Sequence, residues 1–367
     1  LAWRFWDAVA NKRAFLARVM GATGLARGLE AIRDAGGRSA VVLTYHRIAE
    51  PGASNPYYDR VVSASPAAFR AQMEMLARRF RVVTPEDLLA PDDGDRRPRA
   101  VVTFDDGYRD NHDAALPILD EVGVPAAFFP PTGFLERPRL PWWDHLAFLV
   151  KSTARPRFAV ERTPDDPSPI EVEPGADRDA AVMALVREVL EGRVPDHAWF
   201  LERLGEAAEV EVDSPARGRE LFVSWDHLKA MAARGHAIGS HAHGHVPLGT
   251  LDDRALRREL ALSRTILEAA VGRPVRTIAY PYGWPGAVDE RTYRLAAAAG
   301  YRVGFTTTEA VALPDAPGFD PLAVPRLTVG GGDTADLLRA RAALRGAAAR
   351  LRRSARSRGP AAGVSPS

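Results

Sequence analysis

Apolar positions along the 367-residue chain alternate between two patterns. Short β-branched or aromatic runs at 40–45, 101–104, 126–129, 237–240, 277–280 and 303–306, with a shorter one at 82–83, read as buried strands. Between them apolar residues recur at helical spacing. Phe69, Met73, Leu76 and Phe80 line one face of a helix that opens at Ser65-Pro66, and Thr84-Pro85 opens a short one with an N-cap and a first-turn proline. Residues 111–123 and 252–271 read as further helices, and another starts at Ser224. Strand and helix in turn predict an α/β architecture with parallel strands.

The rhythm breaks at about 140–220. That stretch holds Trp142 and Trp143, helical periodicity around 180–190, and a proline-rich piece at 163–174 that reads as an extended loop. It is expected to be an insertion or cap over one face of the α/β domain. A helical region at 3–35, broken near Gly21 and Gly24, precedes the first strand. The expected organisation is therefore a helical segment at 1–38, an α/β domain at 39–335 carrying the insertion, and a tail at 336–367. The chain shows no internal repeat.

Composition narrows the picture. Apolar and charged fractions are those of an ordinary globular protein, and the net charge of +2 carries no global case for a nucleic-acid partner. Basic residues crowd the end, from Arg339 and Arg341 to Arg356 and Arg358, and that tail is expected to be a solvated helix that becomes disordered from about Ser354. With no cysteine, disulfides and thiolate metal sites are excluded, and any metal must be held by His, Asp or Glu. No apolar run is long enough to span a bilayer. Residues 1–20 lack the compact apolar core and small-residue cleavage site of a signal peptide. They are expected to form a helix packed on the domain. Peripheral membrane contact is the alternative for this helix and for the basic tail.

Two motifs carry candidate chemistry. The strand Val101-Val102-Thr103-Phe104 ends in Asp105-Asp106-Gly107-Tyr108. Adjacent strand residues point to opposite faces, so the two aspartates can do different jobs, one binding a metal and the other handling a proton. A solvated Asp-Gly turn is the competing reading. After the strand at 237–240 comes Ser240-His241-Ala242-His243-Gly244-His245. His241 and His245 lie four apart, so one helical turn would put both imidazoles on one side, and His243 should face elsewhere. Two histidines need a third ligand, and Asp105 or Asp106 can supply it, leaving a position open for water. Such a site lowers the pKa of bound water, and the remaining aspartate can take its proton, which points to metal-assisted hydrolysis.

These two motifs, in this order, resemble the signature of the polysaccharide deacetylase family (NodB homology domain, carbohydrate esterase family 4), over about 41–329. The resemblance implies a distorted (β/α) barrel with its site at the strand C-termini. It implies one divalent ion, usually zinc, held by Asp106, His241 and His245, with Asp105 as general base. Ala279-Tyr280-Pro281-Tyr282-Gly283 resembles the family's groove motif, and the backbone N–H of Tyr282 takes the oxyanion role there. Many members carry a late Leu-x-His whose histidine is the general acid, but no histidine follows His245 here. Leu43-Thr44-Tyr45-His46-Arg47 resembles instead a subgroup of poly-N-acetylglucosamine deacetylases, and so gives the acid role to His46. Arg326 resembles that subgroup's late arginine and could pair with Asp105 and keep it ionised, with a surface ion pair the competing reading. Trp142-Trp143-Asp144 is a candidate to line the substrate groove, with core packing of the insertion the competing role and the one expected of at least one tryptophan.

The expected function is metal-dependent removal of N-acetyl groups from amino sugars of a glycan, which points to the cell envelope. The alternatives are an O-acetyl esterase or non-sugar amidase of the same fold, and an inactive glycan-binding module.

Overall fold

The computed structural model describes residues 25–34 and 38–357, except 51, 53, 54, 92, 93, 96, 167 and 176. Seven short parallel strands form a ring among these residues. β1 (Ala40–Tyr45) pairs with β2 (Arg99–Asp105), β2 with β3 (Ala126–Phe129), and β3 with β4 (Ala237–Ile238). β5 (Thr277–Ala279) pairs with β6 (Val303–Phe305), and β7 (Leu327–Thr328) pairs back to β1. Single bridges join the remaining neighbours, Ser240 to Ile278 and Phe305 to Val324. Strands thus follow one another around the ring in chain order, and two thin joints distort it. The expected α/β fold, a distorted barrel, is the one observed. An extra strand at Arg81–Val82 pairs with the start of β2.

Strand alternation sorts the core into two layers. Ala40, Val42, Val101, Ala127, Phe129, Phe305 and Val324 belong to one buried cluster inside the ring. Their neighbours Val41, Leu43, Tyr45, Val102, Phe104 and Phe128 belong to another, which faces the surrounding helices. A helix α1 (Leu25–Asp34) precedes the ring, and α2 (Pro66–Arg79) covers it. In α2 the Ser65 side chain accepts the Ala68 N–H, Pro66 sits in the first turn, and Phe69, Met73 and Leu76 are buried, as the spacing predicts.

The interruption is built from α3 (Trp142–Ser152), α4 (Arg178–Leu190), α5 (His197–Ala208) and a helix at Ser214–Leu221. It has its own apolar cluster, including Leu146, Val150, Leu185 and Phe200. The segment expected to be an extended loop is only partly one. Ile170–Val172 pairs antiparallel with Phe158–Val160, so a hairpin strand interrupts the expected loop, with Pro169 and Pro174 on either side of it. The long helix α6 (Asp253–Val271) follows β4, capped by Asp252 and ended at Gly272.

The C-terminal segment departs from the expectation of a solvated tail. It forms α7 (Ala335–Ser357), which packs against α1 and α2. Leu338, Ala342, Ala343 and Ala347 are buried, and Arg339 makes a two-pronged ion pair with Glu30. At Gly346 a Cβ would lie 2.3 Å from the Arg33 side chain, so only glycine admits this approach. Arg350 is buried and donates to the Arg33 carbonyl at 3.0 Å. The arginine count hides a stripe of small apolar residues, and that stripe seats the helix. The helix runs on to Ser357, past the expected onset of disorder. Residues 1–24 and 358–367 lie outside the described residues, so the expected N-terminal helix and its membrane contact are not addressed beyond α1. Truncating Leu338 to alanine is expected to cost about 2–5 kcal/mol of unfolding free energy. A denaturant titration reads this; an unchanged midpoint would mean that α7 is not seated.

Candidate active site

Side chains from the C-terminal ends of the ring strands meet in one cavity of about 320 Å³. In β2 the inward phase runs Val101, Thr103, Asp105, so strand geometry aims the Asp105 carboxylate into the barrel mouth. There it meets Arg326, whose Nη1 and Nη2 donate to the two carboxylate oxygens at 2.9 and 2.7 Å. Both residues are buried, Arg326 completely. The guanidinium also donates to the Thr306 carbonyl at 3.0 Å and to Thr103 Oγ1 at 3.2 Å. Burial alone would raise the Asp105 carboxyl. The facing Arg326, with His241 nearby, outweighs it and holds the carboxyl below its usual range.

Asp106 leaves the strand. Its φ of 67° and that of Gly107, 70°, form a left-handed turn, and a Cβ on Gly107 would lie 2.7 Å from Pro130 Cβ. The motif is thus an Asp-Gly turn, and the turn brings Asp106 round to the same cavity as Asp105, where a continued strand would send it to the other face. Asp106 Oδ1 lies 3.1 Å from His245 Nε2 and 3.3 Å from His241 Nε2. The expected helical turn between the histidines is absent. Left-handed conformations at Ala242 (φ 56°) and His245 (φ 52°) fold the segment so that the imidazoles meet, with ring centroids 5.0 Å apart. His243 faces elsewhere, as expected, toward Thr132 Oγ1 at 2.9 Å. Burial would raise the Asp106 carboxyl too, but the two imidazoles hold it well below its usual range.

The donor set fits a divalent ion. A tetrahedral zinc site with bonds of roughly 2.0–2.1 Å sets neighbouring ligand atoms about 3.3 Å apart, which is the spacing Asp106 offers to both imidazoles. The His241 Nδ1 lies 2.6 Å from the Ala279 carbonyl, a contact that puts the ring proton on Nδ1 and leaves the Nε2 lone pair facing Asp106.

His46 continues the inward phase of β1 past Thr44 and lines the cavity beside both aspartates. Its N–H donates to Ser63 Oγ at 3.0 Å, and its carbonyl accepts from Asn111 Nδ2 at 2.6 Å. Asn111 reaches it from a π-helical turn, Asn111–Ala115, that opens the helix expected at 111–123. Tyr282 lies across the cavity with φ 62°, its carbonyl pinned by the Thr307 hydroxyl at 2.8 Å. No acceptor among the described residues takes its N–H. Of the seven residues singled out in the sequence, six line this cavity; Arg326 stands behind Asp105.

A family model, polysaccharide deacetylase, matches residues 92–168 and 177–304. The chain belongs to the polysaccharide deacetylase family. YxkH of Bacillus subtilis (strain 168), whose name places it among the same deacetylases, is 27% identical over 115 residues, 31% of this chain. The matched part spans only 40% of YxkH. Among solved structures, the deacetylase PplD of Streptococcus pyogenes has a TM-score of 0.54 at 17% identity, covering 83% of this chain and 97% of that one. BC0361, a polysaccharide deacetylase from Bacillus cereus, has a TM-score of 0.53 at 17% identity, covering 83% and 69%. At these identities the structures speak for the fold.

The site also has residues that no sequence pattern singled out. Trp284, on the loop carrying Tyr282, is 46% exposed and lines the cavity with Thr307 and Thr328. An aromatic two residues beyond the Tyr-Pro-Tyr run was its only signal. Trp142 and Trp143 do line the cavity, but Asp144 turns away from it. Asp144 is fully buried, accepts the Tyr108 hydroxyl at 2.8 Å and the Tyr58 N–H at 3.0 Å, while Trp143 Nε1 donates to the same hydroxyl at 2.8 Å. This network ties the insertion to the Asp106 turn and sets the Trp143 ring 5.0 Å from that of His245. Burial drives the Asp144 carboxyl from 3.8 up to about 6. A carboxyl raised on folding stabilises fully below its unfolded pKa, and that contribution is lost as pH rises through the folded one. Relative to Asp144→Asn, the metal-free protein should lose about 3 kcal/mol of stability between about pH 4 and pH 7. Urea titrations across that range measure it, and parallel profiles would show that Asp144 stays ionised.

Proposed function

We propose that this protein hydrolyses N-acetyl groups from amino sugars of a glycan, with one divalent ion held by Asp106, His241 and His245. The observation that carries this reading is the meeting of a carboxylate and two imidazoles at ligand spacing, beside a second, arginine-paired carboxylate. Zinc is the metal we infer from the nitrogen-rich donor set. Such an ion supplies Lewis acidity and a water acidic enough to act as a nucleophile near neutral pH.

Asp105 serves as the general base. Arg326 keeps it ionised, so it can accept a proton from the water attacking the acetyl carbon. The same pairing makes it a weak base, and a weak base suits only an acidified water. The backbone N–H of Tyr282 donates to the oxygen that gains charge as the carbonyl becomes tetrahedral. His46 gives its proton to the departing nitrogen when the C–N bond breaks, releasing acetate and an amine. This assignment and the buried Arg326 support the narrower reading that the protein works as poly-N-acetylglucosamine deacetylases do.

Acetate release from N-acetylated oligosaccharides tests the reading, and O-acetylated oligosaccharides assayed in parallel separate amide from ester chemistry. Asp105→Asn should lower turnover by about 10² to 10⁴-fold while metal content by elemental analysis stays near that of the native protein. Loss of metal in that variant would reverse the roles of the two aspartates. His46→Ala should slow release by about 10²-fold; turnover equal to native at every pH would remove His46 from the acid role.

A further inference from the structure

A second, larger cavity opens from the first. It measures about 1070 Å³ against about 320 Å³ for the site, and the two share Trp142, Trp143, His245 and Tyr282. Part of its lining is the start of α3, with Trp142 and His145. Adjoining it is α5, whose His197 ring lies 5.4 Å from that of Trp142, followed along the helix and the chain just after it by four glutamates, Glu202, Glu206, Glu209 and Glu211. Arg139 is the one arginine in the lining. Glu206 pairs with Arg203 and Glu209 with Arg155, whereas Glu202 and Glu211 are exposed and enter no ion pair among the described residues. The trough is therefore aromatic at the end it shares with the site and anionic further along α5. The insertion supplies these two helices, and the site loops supply the rest, from Gly244 to Pro247 and Tyr282.

We infer that this trough holds the glycan units flanking the reacting one, and that its glutamates select units that already carry a free amine. The inference rests on the proposed deacetylation. A cavity of about 320 Å³ is near the small end of ligand pockets, which run from roughly 300 to 1,000 Å³, so the site itself takes one sugar. The continuous trough gives the rest of the chain a bed. Sugar rings have apolar faces that lie on aromatic rings such as Trp142, which is braced by the Tyr282 hydroxyl accepting its Nε1–H at 3.3 Å. Removing an acetyl group converts a neutral amide into a basic amine, which becomes a cation on protonation. The product's cations then match Glu202 and Glu211, while an untouched acetylated unit finds no charge partner there. Each unit processed makes the chain a better occupant of the trough, so free amines should appear in clusters along the glycan.

The test uses the β-1,6-linked glucosamine pentamer, which has no acetyl group, as a binding probe, and the N-acetylated monomer and β-1,6-linked pentamer as substrates. The glucosamine pentamer should bind the native protein at low salt in mildly acidic buffer, where its amines are charged, and weaken as salt rises. The double variant Glu202→Gln, Glu211→Gln should bind it about tenfold more weakly. The control Glu161→Gln, Glu171→Gln, on the exposed hairpin, should bind as the native protein does. Acetate release should show a lower KM for the acetylated pentamer than for the monomer. Equal binding by the glutamate variant, equal loss in the control, or a KM independent of chain length would each overturn the inference. The two readings fail separately. If neither acetylated substrate releases acetate, the deacetylase reading falls while pentamer binding still reports on the trough. If acetate is released but the glucosamine pentamer does not bind, the trough inference falls alone.

Discussion

The buried pair between Arg326 and Asp105 is the constraint around which the barrel mouth is organised. A barrel of short strands must fill its interior, and most of this one is filled by aliphatic and phenyl side chains such as Val42, Val101, Phe129 and Phe305. At the mouth the filling becomes a guanidinium that is wholly buried. An unpaired charge there would cost several kcal/mol per ion, so both partners must be present and their remaining hydrogen bonds met. They are met by the Thr306 carbonyl and the Thr103 hydroxyl, which come from different sides of the ring. The Arg326 N–H adds a bond to the Thr308 carbonyl at 3.1 Å. The pair thereby braces the region where β6 and β7 are joined by a single bridge. The Asp105 carboxylate, proposed above as the base, is held by the contact that completes the barrel.

Around this fixed point the structure accumulates strain. Five non-glycine residues among those described have positive φ, and four of them, Asp106, Ala242, His245 and Tyr282, belong to the site loops. Such conformations cost of order 1–3 kcal/mol each and persist only where the surroundings enforce them. The enforcement is visible. Gly107 abuts Pro130, the Val223 N–H donates to the Gly107 carbonyl at 2.9 Å, and the Thr307 hydroxyl holds the Tyr282 carbonyl. Strain paid in advance leaves the Asp106 carboxylate and the two imidazoles together, so the proposed ion would not have to reorganise the loops.

Much of the architecture was legible in the chain. β-branched runs separated by helical periods identified six of the ring strands, and the capping of α2 followed from Ser65-Pro66. The seventh strand, Leu327–Thr328, directly follows Pro325 and Arg326, which interrupt its apolar run, so no strand pattern registers. The tail misled because composition counts arginines, whereas packing depends on which face carries Leu338, Ala343 and Ala347. The hairpin at Ile170–Val172 escaped because its partner, Phe158–Val160, is separated from it by a stretch with no alternation of its own.

The sequence by itself determined the chemistry available: no thiols, paired aspartates at a strand end, and spaced histidines after another strand. These are properties of residue type and local spacing, and they survive any arrangement in space. Tertiary structure decided what local rules had wrong or left open. Strand alternation would put Asp105 and Asp106 on opposite faces, and a helical turn would bring the histidines together. The fold uses left-handed turns for both, because the strand ends must bend over the barrel mouth to meet. It also stacked the insertion beside the site, turning Asp144 inward to Tyr108 and leaving Glu202 and Glu211 outward along a trough. Contacts between segments more than a hundred residues apart leave no period in the chain, so only closing the barrel could reveal them.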